Sequence, residues 1–348
     1  MTSQSLRDLQ IYEGGNLGPF IVESFLGEGG FGVVAKCYDP QNNRPLAIKV
    51  NKNDQKIFHQ ARQEITNLRR LQSLDPDNYN IVKWYGFFFH MDSVCLSFEL
   101  LDQSLYDYIQ SSKGQFFPVP EMRSVLKQMT SALSHLSSIG LVHGDLKPEN
   151  IMVVDRHSKP LKVKLIDFGL ARPVSDCHDG AWVQTLCYRA PEVLMQLPYD
   201  EAVDMWTLGV TAAEIAIGFM LYPGHTEYNV LSYITQLQGQ PEDHVVDKSL
   251  NPGYFFTPED AAPRRWRLKS PEEFQAESGY LPQLKYHSLD SLDDLEKRMD
   301  LQRGHEEDHH LLMDLVKKML DTDPEQRIKP HEVLQHPFMT EIVPPKIL

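Results

Sequence analysis

The chain is poor in cysteine and lacks the residue spacing of a structural metal site. Its 348 residues include only four cysteines, which lie far apart without the pairing of a zinc site: Cys37, Cys95, Cys177 and Cys187. His305, His309 and His310 lie among acidic residues at the start of a helical pattern, which favours a solvated helix face over a metal site. No signal peptide or basic presequence opens the chain. We therefore expect a protein of the nucleus, the cytoplasm or both, and no secretion.

Basic residues and long apolar runs are also scarce. Acidic residues outnumber basic ones by 48 to 34, so the formal net charge is -14. This charge argues against a direct nucleic-acid partner and against a polybasic membrane contact, but it is compatible with a basic or neutral polypeptide substrate. The most apolar stretch, residues 206–222, is interrupted by Gly209, Glu214 and Gly218 and is too short and polar to span a membrane. It predicts a buried helix.

The remaining pattern indicates two lobes of different class. A length of 348 residues exceeds what one hydrophobic core usually serves, so we expect two units with a ligand cleft between them. Short apolar runs at 20–22, 33–35, 46–48 and 94–96 are typical of strands, and one amphipathic helix is predicted near 55–74. After Asp102 the pattern is mostly helical. The sequence thus predicts an α+β fold, with a small β-rich lobe that carries one main helix and a larger, mostly helical lobe.

A glycine-rich string, Gly-Glu-Gly-Gly-Phe-Gly at 27–32, lies between two predicted strands. Without Cβ atoms at Gly27, Gly29 and Gly32, backbone N–H groups can approach phosphate oxygens closely. Such a string followed by a helix is typical of dinucleotide folds, but here Val33 and Val34 continue into a strand, which favours a hairpin lid over a triphosphate. Taken alone, the string is better explained as an ordinary glycine-rich turn.

Lys49 and Glu64 are candidates for a buried ion pair. Lys49 ends the predicted strand that contains residues 46–48, and Glu64 lies among the core positions of the predicted helix near 55–74. A buried charge is tolerated only if it is paired, and this pair would fix the ammonium against the α and β phosphates of a nucleotide. The alternative is two solvated surface charges, which the order and context of the residues disfavour.

The most specific string is His-Gly-Asp-Leu-Lys-Pro-Glu-Asn at 143–150. Asp145 could orient and deprotonate a substrate hydroxyl, and Lys147 could neutralise charge on a transferring phosphoryl group. The amide oxygen of Asn150 suits a hard cation, and Asp167, in Asp-Phe-Gly at 167–169, offers a carboxylate to the same metal. Together these residues predict a Mg-ATP site.

These strings resemble the protein-kinase signature over about residues 20–340. The resemblance implies a bilobal protein-kinase fold and ATP and Mg2+ as cofactors. It implies an N-terminal extension at 1–19, an N-lobe at 20–101, a C-lobe at 102–341 with an insert at about 241–303, and a tail at 342–348. It also implies that Glu192, in Ala-Pro-Glu, pairs with Arg327, and that Asp204 holds the catalytic loop from below.

Finer features narrow the resemblance. Lys147 is typical of Ser/Thr kinases, and Tyr-Arg-Ala-Pro-Glu at 188–192 resembles the proline-directed group. Strings at 77–82, 95–101, 105–107, 143–145 and 266–269 resemble homeodomain-interacting protein kinases, relatives of the dual-specificity tyrosine-regulated kinases. The implied catalytic residues are Lys49, Glu64, Asp145, Lys147 and Asn150, with the metal on Asn150 and Asp167. The implied nucleotide contacts are Gly27, Glu28, Gly29, Gly30, Phe31, Gly32, Val34, Ala47, Lys49, the gatekeeper Phe98, the hinge residues Glu99 and Leu101, and Asp167.

Two positions depart from the general kinase pattern. Gly144 stands where most kinases carry an Arg that receives a loop phosphate; the homeodomain-interacting family also lacks this Arg, so its absence supports the resemblance. Trp182 stands where that family has an autophosphorylated Tyr. Our hypothesis is that the indole orders the loop through apolar contacts, so that activity does not depend on loop phosphorylation. The competing interpretation is a decayed loop.

Two other function classes remain in competition with an active Ser/Thr or dual-specificity kinase. A pseudokinase scaffold would keep the fold for partner binding, but such proteins usually lose the Lys, the catalytic Asp or the metal Asp, all of which are present here. A small-molecule phosphotransferase is disfavoured by the Ala-Pro-Glu segment, which shapes a groove for a peptide. We therefore expect a kinase that acts on protein substrates, with transcription regulators among them by resemblance, and that is a monomer.

Overall fold

The computed structural model describes residues 6, 9–72, 75, 77–111, 116–177, 183–259, 265–282, 289–303 and 307–340. Within these residues a β-rich lobe is followed by a larger helical lobe, so the predicted α+β class is confirmed. None of the helices described is both long and apolar enough to cross a membrane. Trp182 and His305 lie outside the described residues.

The first lobe is built on one antiparallel sheet with the spatial order β1-β2-β3-β4-β6-β5. Its strands are β1 Asn16–Leu17, β2 Phe20–Glu28, β3 Gly32–Asp39, β4 Arg44–Asn51, β5 Trp84–His90 and β6 Ser93–Glu99. Side chains alternate between the two faces, and Val33, Ala35 and Ile48 are fully buried on one of them. All four of the predicted strand runs lie in this sheet.

Residues that precede Phe20 also enter the core of this lobe. Leu9, Ile11 and Leu17 are buried with Val22 and the inner side chains of β3 and β4. Leu17 lies in β1, which pairs with the start of β2. The hydrophobic packing of the first lobe therefore begins before β2.

One long helix, α1 (Gln55–Leu71), packs on the sheet where the sequence predicts it. Its first turn is capped by the carboxylate of Asp54, which accepts hydrogen bonds from the amides of Lys56 and Ile57. The helix lies over β4 and β6. Its buried stripe consists of Ala61, Glu64, Ile65, Asn67, Leu68 and Leu71. The two polar members of this stripe bond to groups of the cleft, as described below.

The second lobe is mostly helical. Its helices are α2 Leu105–Ser111, α3 Val119–Ser138, α4 Pro191–Leu194, α5 Ala202–Ile217, α6 Glu227–Gln238, α7 Asp243–Val246, α8 Pro271–Ser278, α9 Asp293–Arg303, α10 Glu307–Met319, α11 Pro330–Val333 and α12 Pro337–Thr340. Helix α5 is packed by α3, α9 and α10, and nearly all of its side chains are buried. This confirms the buried helix predicted from the apolar stretch.

Short strands bring the candidate loops together. They are β7 Gln103–Ser104, β8 Leu141–Val142, β9 Ile151–Val153, β10 Val163–Leu165 and β11 Arg172–Pro173, followed in the predicted insert by β12 Phe256–Pro258 and β13 Trp266–Leu268. Strand β10 runs antiparallel to β9, with Leu165 opposite Ile151. The amide of Ile166 donates to the carbonyl of Asn150 at 3.0 Å. The residue after it, Asp167, therefore emerges beside the end of the loop 143–150.

The expectation for one histidine of α10 is wrong. His309 is fully buried, and its Nδ1 lies 2.8 Å from a carboxylate oxygen of Asp300 on α9. His310, the next residue, is exposed as predicted. Packing of α9 against α10 thus withdraws His309 from solvent, and the acidic neighbours in sequence gave no sign of this contact.

A buried ion pair ties α4 to the chain beyond α10. Arg327 donates from both Nη atoms to the carboxylate of Glu192, at 2.6 and 2.9 Å, and neither side chain reaches solvent. Arg327 also donates to the carbonyls of Asp321 and Ala202, and its guanidinium lies 5.2 Å above the ring of Trp206. The predicted Glu192–Arg327 pair is therefore present.

Removal of one partner of this pair should destabilise the second lobe. Glu192→Gln leaves the guanidinium of Arg327 buried without a counter-charge, and we expect the free energy of unfolding in denaturant to fall by about 3–5 kcal/mol. The control is Lys297→Ala, which removes an exposed ion pair with Asp294. It should cost less than about 1 kcal/mol. Equal small losses in the two variants would contradict a supporting role for the buried pair.

Candidate active site

The glycine-rich string forms the hairpin between β2 and β3. Gly32 is required by close packing, because a Cβ atom there would lie 2.0 Å from the carbonyl oxygen of Val50. At Gly27, Gly29 and Gly30 an added Cβ would meet no atom within 4 Å. These three positions face open space, which is the property that lets backbone amides approach a bound phosphate.

The other two residues of the string lie at the edges of the hairpin. Glu28 is the last residue of β2. Phe31 precedes β3 and is partly exposed, and the ammonium of Lys49 lies 5.9 Å from the centre of its ring. The hairpin tip therefore reaches over the lysine that is predicted to contact the nucleotide.

Lys49 lies on β4 and makes two ion pairs. Its Nζ is 2.9 Å from Glu64 on α1 and 3.2 Å from Asp167. Burial opposes the charged form of Lys49, but the two carboxylates hold its pKa above the ordinary value. At Asp167 partial burial opposes ionisation, and the ammonium still lowers the pKa of the carboxyl overall. The arrangement keeps a positive charge inside the cleft and brings together three residues that the sequence singled out.

The segment 167–171 is fixed by α1 and by the catalytic loop. Asp167 has a φ of 61°, a left-handed conformation that few non-glycine residues adopt. Phe168 is fully buried, and its ring packs edge-to-face on His143 at 5.1 Å. Asn67 on α1 donates to the carbonyls of Ala171 at 2.6 Å and Phe168 at 3.3 Å. Asn67 was not recognised from the sequence, where its only signal was an amide within an apolar helix stripe.

The residues of the loop 143–150 converge on Asp145. Its carboxylate is 3.0 Å from Nζ of Lys147, and Asn150 donates to its backbone carbonyl at 2.7 Å and to its carboxylate at 3.0 Å. The hydroxyl of Thr185 donates to the other carboxylate oxygen at 2.7 Å. Lys147 donates in turn to that hydroxyl at 2.7 Å. Thr185 was not recognised as a site residue from the sequence; it is separated from Asp145 by 40 positions, so no local pattern could indicate the contact.

Asp204 on α5 supports this loop, as the resemblance implied. It is buried, and its two carboxylate oxygens accept hydrogen bonds from the amides of His143 at 2.7 Å and Gly144 at 2.9 Å. Burial raises the pKa of Asp204. Gly144 has a φ of +74°, and a Cβ atom there would lie 3.1 Å from the carbonyl oxygen of Leu170. Glycine at this position thus relieves backbone strain and also leaves no side chain to bind a phosphate.

The residues predicted to line the adenine site share one face of the sheet. Ala47 and Lys49 lie two residues apart on β4, so they point to the same face. Phe98 on β6 lies directly opposite Ala47, and Val34 on β3 lies directly opposite Lys49. The amide of Glu99 donates to the carbonyl of Lys83 at 3.0 Å, which fixes the backbone at this predicted hinge residue. Leu101 follows β6 and is buried. The predicted lining residues are therefore contiguous around the cleft.

A buried lysine links the hinge to two other segments. Lys164 on β10 is only 1% exposed, and its Nζ lies 2.6 Å from Glu99 and 2.8 Å from Asp77. Burial opposes the charged form of Lys164, but hydrogen bonds to Asp77 and Glu99 raise its pKa overall. The Glu99 carboxylate also accepts from the amide of Lys83 at 2.6 Å. A lysine inside the apolar run at 163–166 was the sequence signal for this network, and it was not recognised.

Loss of the Asp204 carboxylate should loosen the loop. Asp204→Ala leaves two buried amides unbonded, and each hydrogen bond to a charged group contributes about 1.5–3 kcal/mol. We expect amide hydrogen exchange across residues 141–150, followed by mass spectrometry, to accelerate about tenfold or more. Asp314→Ala on α10 is the control, because it removes a carboxylate that pairs with Lys318 and with the buried His336. Unchanged exchange in Asp204→Ala would mean that another contact holds the loop.

The donor set of the cleft fits a nucleoside triphosphate and a divalent cation. The hairpin leaves open space at three glycines, and Lys49 supplies a positive charge beneath it. The side-chain amide of Asn150 is oriented through its N–H groups, so its oxygen is the remaining ligand atom. The carboxylate of Asp167 lies nearby, just after the neighbouring strand β10. Oxygen ligands of this kind suit Mg2+.

Comparison with known proteins agrees with this geometry. The protein kinase domain model matches residues 20–339. The chain is 41% identical over 328 residues to homeodomain-interacting protein kinase 2 of Mesocricetus auratus, across 92% of this chain and 28% of that protein. It is 41% identical over 329 residues to homeodomain-interacting protein kinase 1 of Mus musculus, across 92% and 27% respectively. It is 34% identical over 332 residues to homeodomain-interacting protein kinase 4 of Homo sapiens, across 90% and 54%.

The matched family has a clear consequence for the cleft. A protein kinase domain implies the use of ATP, in accord with the open glycine hairpin and the paired lysine. The chain spans between 27% and 54% of the length of the relatives named above. Its own extent is nearly all kinase domain, since the match covers residues 20–339. The chain belongs to the protein kinase family and, within that family, resembles the homeodomain-interacting protein kinases.

Proposed function

We propose that this chain is an active protein kinase that transfers the γ-phosphoryl group of Mg-ATP to Ser and Thr hydroxyls of proteins. The observation that carries the proposal is the convergence of Lys147, Asn150 and Thr185 on Asp145 in one hydrogen-bonded cluster. Phosphoryl transfer requires positioned charges more than covalent chemistry from the protein. A cluster of this composition supplies them.

Asp145 acts on the substrate hydroxyl. Its carboxylate orients the hydroxyl and accepts the proton as the oxygen forms a bond to the γ-phosphorus; the bond from that phosphorus to the β–γ bridging oxygen breaks, and ADP leaves. Lys147 neutralises charge on the group in transfer. Lys49, kept charged by Glu64, binds the α and β phosphates. The amides of residues 27–32 cover them from above.

Asn150 and Asp167 would hold Mg2+, which would neutralise charge on the phosphates when bound. Val34, Ala47 and Phe98 surround the adenine from one face of the sheet. Glu99 and Leu101 offer backbone groups to its edge. The Thr185 hydroxyl donates to Asp145 and accepts from Lys147. The orientation of the Asp145 carboxylate would therefore already be set when a substrate hydroxyl binds beside it.

The names of the relatives support proposals on substrates. Homeodomain-interacting kinases are named for contact with homeodomain proteins, and we propose that the substrates of this chain are proteins, transcription regulators among them. The chain would then act as a monomer in the nucleus, the cytoplasm or both. A scaffold that binds partners without catalysis is the second candidate. No feature of the described site favours it, because Lys49, Asp145, Asn150 and Asp167 are all in place.

Neutralising the proposed base tests catalysis directly. Asp145→Asn keeps the shape of the side chain but cannot accept the substrate proton. Mg2+-dependent transfer of labelled phosphate from ATP to a generic basic protein should therefore fall by about a hundredfold to ten-thousandfold. The matched control is Asp155→Asn, an exposed turn residue, which should retain activity. If the wild-type protein shows no transfer above Asp145→Asn, the scaffold is the better assignment.

We also propose that activity does not require phosphorylation of the activation segment. Arg189 donates to the carbonyls of Val183 and Gln184, both at 3.1 Å, and pairs with Glu227 on α6. Two acceptor side chains of the segment are engaged. Tyr188 is buried, and its hydroxyl donates to the carboxylate of Glu214. The hydroxyl of Thr185 donates to the carboxylate of Asp145. A phosphate on either residue would meet a like charge.

Phosphatase treatment tests this independence. Protein treated with a broad-specificity phosphatase, and shown by mass spectrometry to be free of phosphate, should keep its transfer rate within about twofold. Ser175→Ala serves as a second check, because Ser175 carries an exposed hydroxyl between Asp167 and Ala190, and this variant should also keep its transfer rate. A loss of about tenfold or more after treatment would place a required phosphate on this chain and sink the proposal.

A further inference from the structure

The outer part of the first lobe carries exposed aromatic rings on one face of the sheet. On β5, the last strand of the sheet, Phe87 lies opposite Leu96 and Phe89 lies opposite Val94. Residues directly opposite each other point to the same face, so these rings point to the face that α1 covers. They remain 39% and 60% exposed, and they contact each other edge-to-face at 6.2 Å. Helix α1 lies mainly over β4 and β6, so both rings keep much of their surface in solvent although Arg69 reaches Phe87.

The outer face of α1 is basic, although the protein as a whole is acidic. Its exposed ionisable side chains are Lys56, His59, Arg62, Arg69 and Arg70. Its one acidic residue, Glu64, is buried and pairs with Lys49. The chain carries a formal net charge of -14, so this face differs in sign from the average surface. Arg69 and Arg70 lie in the last turn of the helix, where the helix dipole stabilises positive charge. Arg62 lies in the middle of the helix, where the dipole gives no such stabilisation.

The basic face adjoins the aromatic rings at Arg69. Phe58, Arg62 and Arg69 recur at helical spacing, and the guanidinium of Arg69 lies 5.7 Å above the ring of Phe87. Phe58 is itself 48% exposed. We call Phe58, Arg62, Arg69, Phe87 and Phe89 the α1–β5 surface. Single exposed rings are common, but three rings interleaved with two arginines form a patch.

A cavity extends this surface at the C-terminal end of α1. It has a volume of about 410 Å3 and lies between Leu68 and Leu71 of the helix and the start of β5. Trp84 lines it, and among the described residues the buried indole N–H of Trp84 has no hydrogen-bond partner. A buried donor without an acceptor is uncommon and costs stability. The cavity therefore offers room for an apolar side chain beside Trp84.

We propose that the α1–β5 surface docks an acidic segment of a partner protein, whose aromatic or aliphatic side chains pack on the exposed rings while its carboxylates pair with Arg62 and Arg69. Charge complementarity supports this occupant, because a short acidic segment meets the basic face without approaching the rest of the acidic surface. A nucleic acid fits less well. Its extended negative charge would meet the acidic surface, and Arg69 already covers one face of Phe87.

The surface is distinct from the cleft. Glu64, which faces Lys49, lies on the buried stripe of α1, and Arg62 and Arg69 lie on the exposed side of the same helix. Docking is a binding property, and it does not require that the chain be catalytically active. Failure of the proposed function and failure of this proposal can therefore be measured separately.

The first experiment selects ligands on the whole chain. A display library of random peptides of about 16 residues is selected in parallel on the wild-type protein and on the Arg62→Glu/Phe89→Ser double variant. We expect the wild type to enrich peptides that combine acidic with aromatic or aliphatic residues, and the double variant not to enrich them. Enrichment of the same peptides on both proteins, or of no such peptides on the wild type, would overturn the proposal.

The second experiment measures one enriched peptide by fluorescence anisotropy. Arg62→Glu and Phe89→Ser should each raise Kd at least about tenfold, and binding to the wild type should weaken as salt is added. Lys127→Glu on α3 and Leu301→Ser on α9 change exposed residues of the second lobe and are the matched controls. They should leave Kd unchanged. A comparable loss in these controls would show that the peptide binds elsewhere or by net charge alone.

Two further arms keep the result interpretable. A poly(dT) oligonucleotide that binds this surface more tightly than the peptide would assign it to nucleic acid and reject the acidic segment. The thermal midpoint of each variant should match that of the wild type within a few degrees. If Arg62→Glu or Phe89→Ser unfolds, Arg62→Gln and Phe89→Thr replace them, and they should still weaken binding several-fold.

Discussion

The active cleft depends on the buried charge of Lys49. An ammonium that is removed from water is stable only with partners in good geometry, and here Glu64 of α1 and Asp167 of the second lobe provide them at 2.9 and 3.2 Å. Because the three side chains lie on β4, on α1 and after β10, the two ion pairs fix the helix against the sheet and hold the Asp167 carboxylate beneath both. Asn67 repeats the same connection through the carbonyls of residues 168 and 171.

The catalytic loop obeys the same requirement that buried polar groups be satisfied. The backbone amides of His143 and Gly144 donate to the carboxylate of Asp204 on the buried helix α5. The carboxylate of Asp145, at the centre of the loop, is bonded by three other side chains. Behind the hinge, Lys164 serves a similar purpose for Glu99 and Asp77. The apolar cores of the two lobes provide the surrounding support, but these few charged groups determine the relative positions of the residues in the cleft.

Helix α1 has two faces with different tasks. Its inner face carries Glu64 and Asn67 into the cleft, and its outer face carries arginines beside the exposed rings of β5. The helix period of 3.6 residues separates these sets although they alternate in sequence. A partner on the outer face would thus contact the same rigid element that positions Lys49, without any contact with nucleotide or substrate.

The class of the fold, the order of its lobes and the residues whose chemistry is local can be read from the amino-acid pattern. These residues are the hairpin at 27–32, Asp145, Lys147 and Asn150 within one loop, and Asp167 after its strand. They belong to short-range patterns, in which side-chain type and spacing carry the information. By contrast, the folded chain was needed to find that Thr185 donates to Asp145, that Asn67 and Lys164 connect distant segments, and that His309 is buried against Asp300. Such contacts join residues that are distant in sequence or lie on different helices, and chain folding alone places them together.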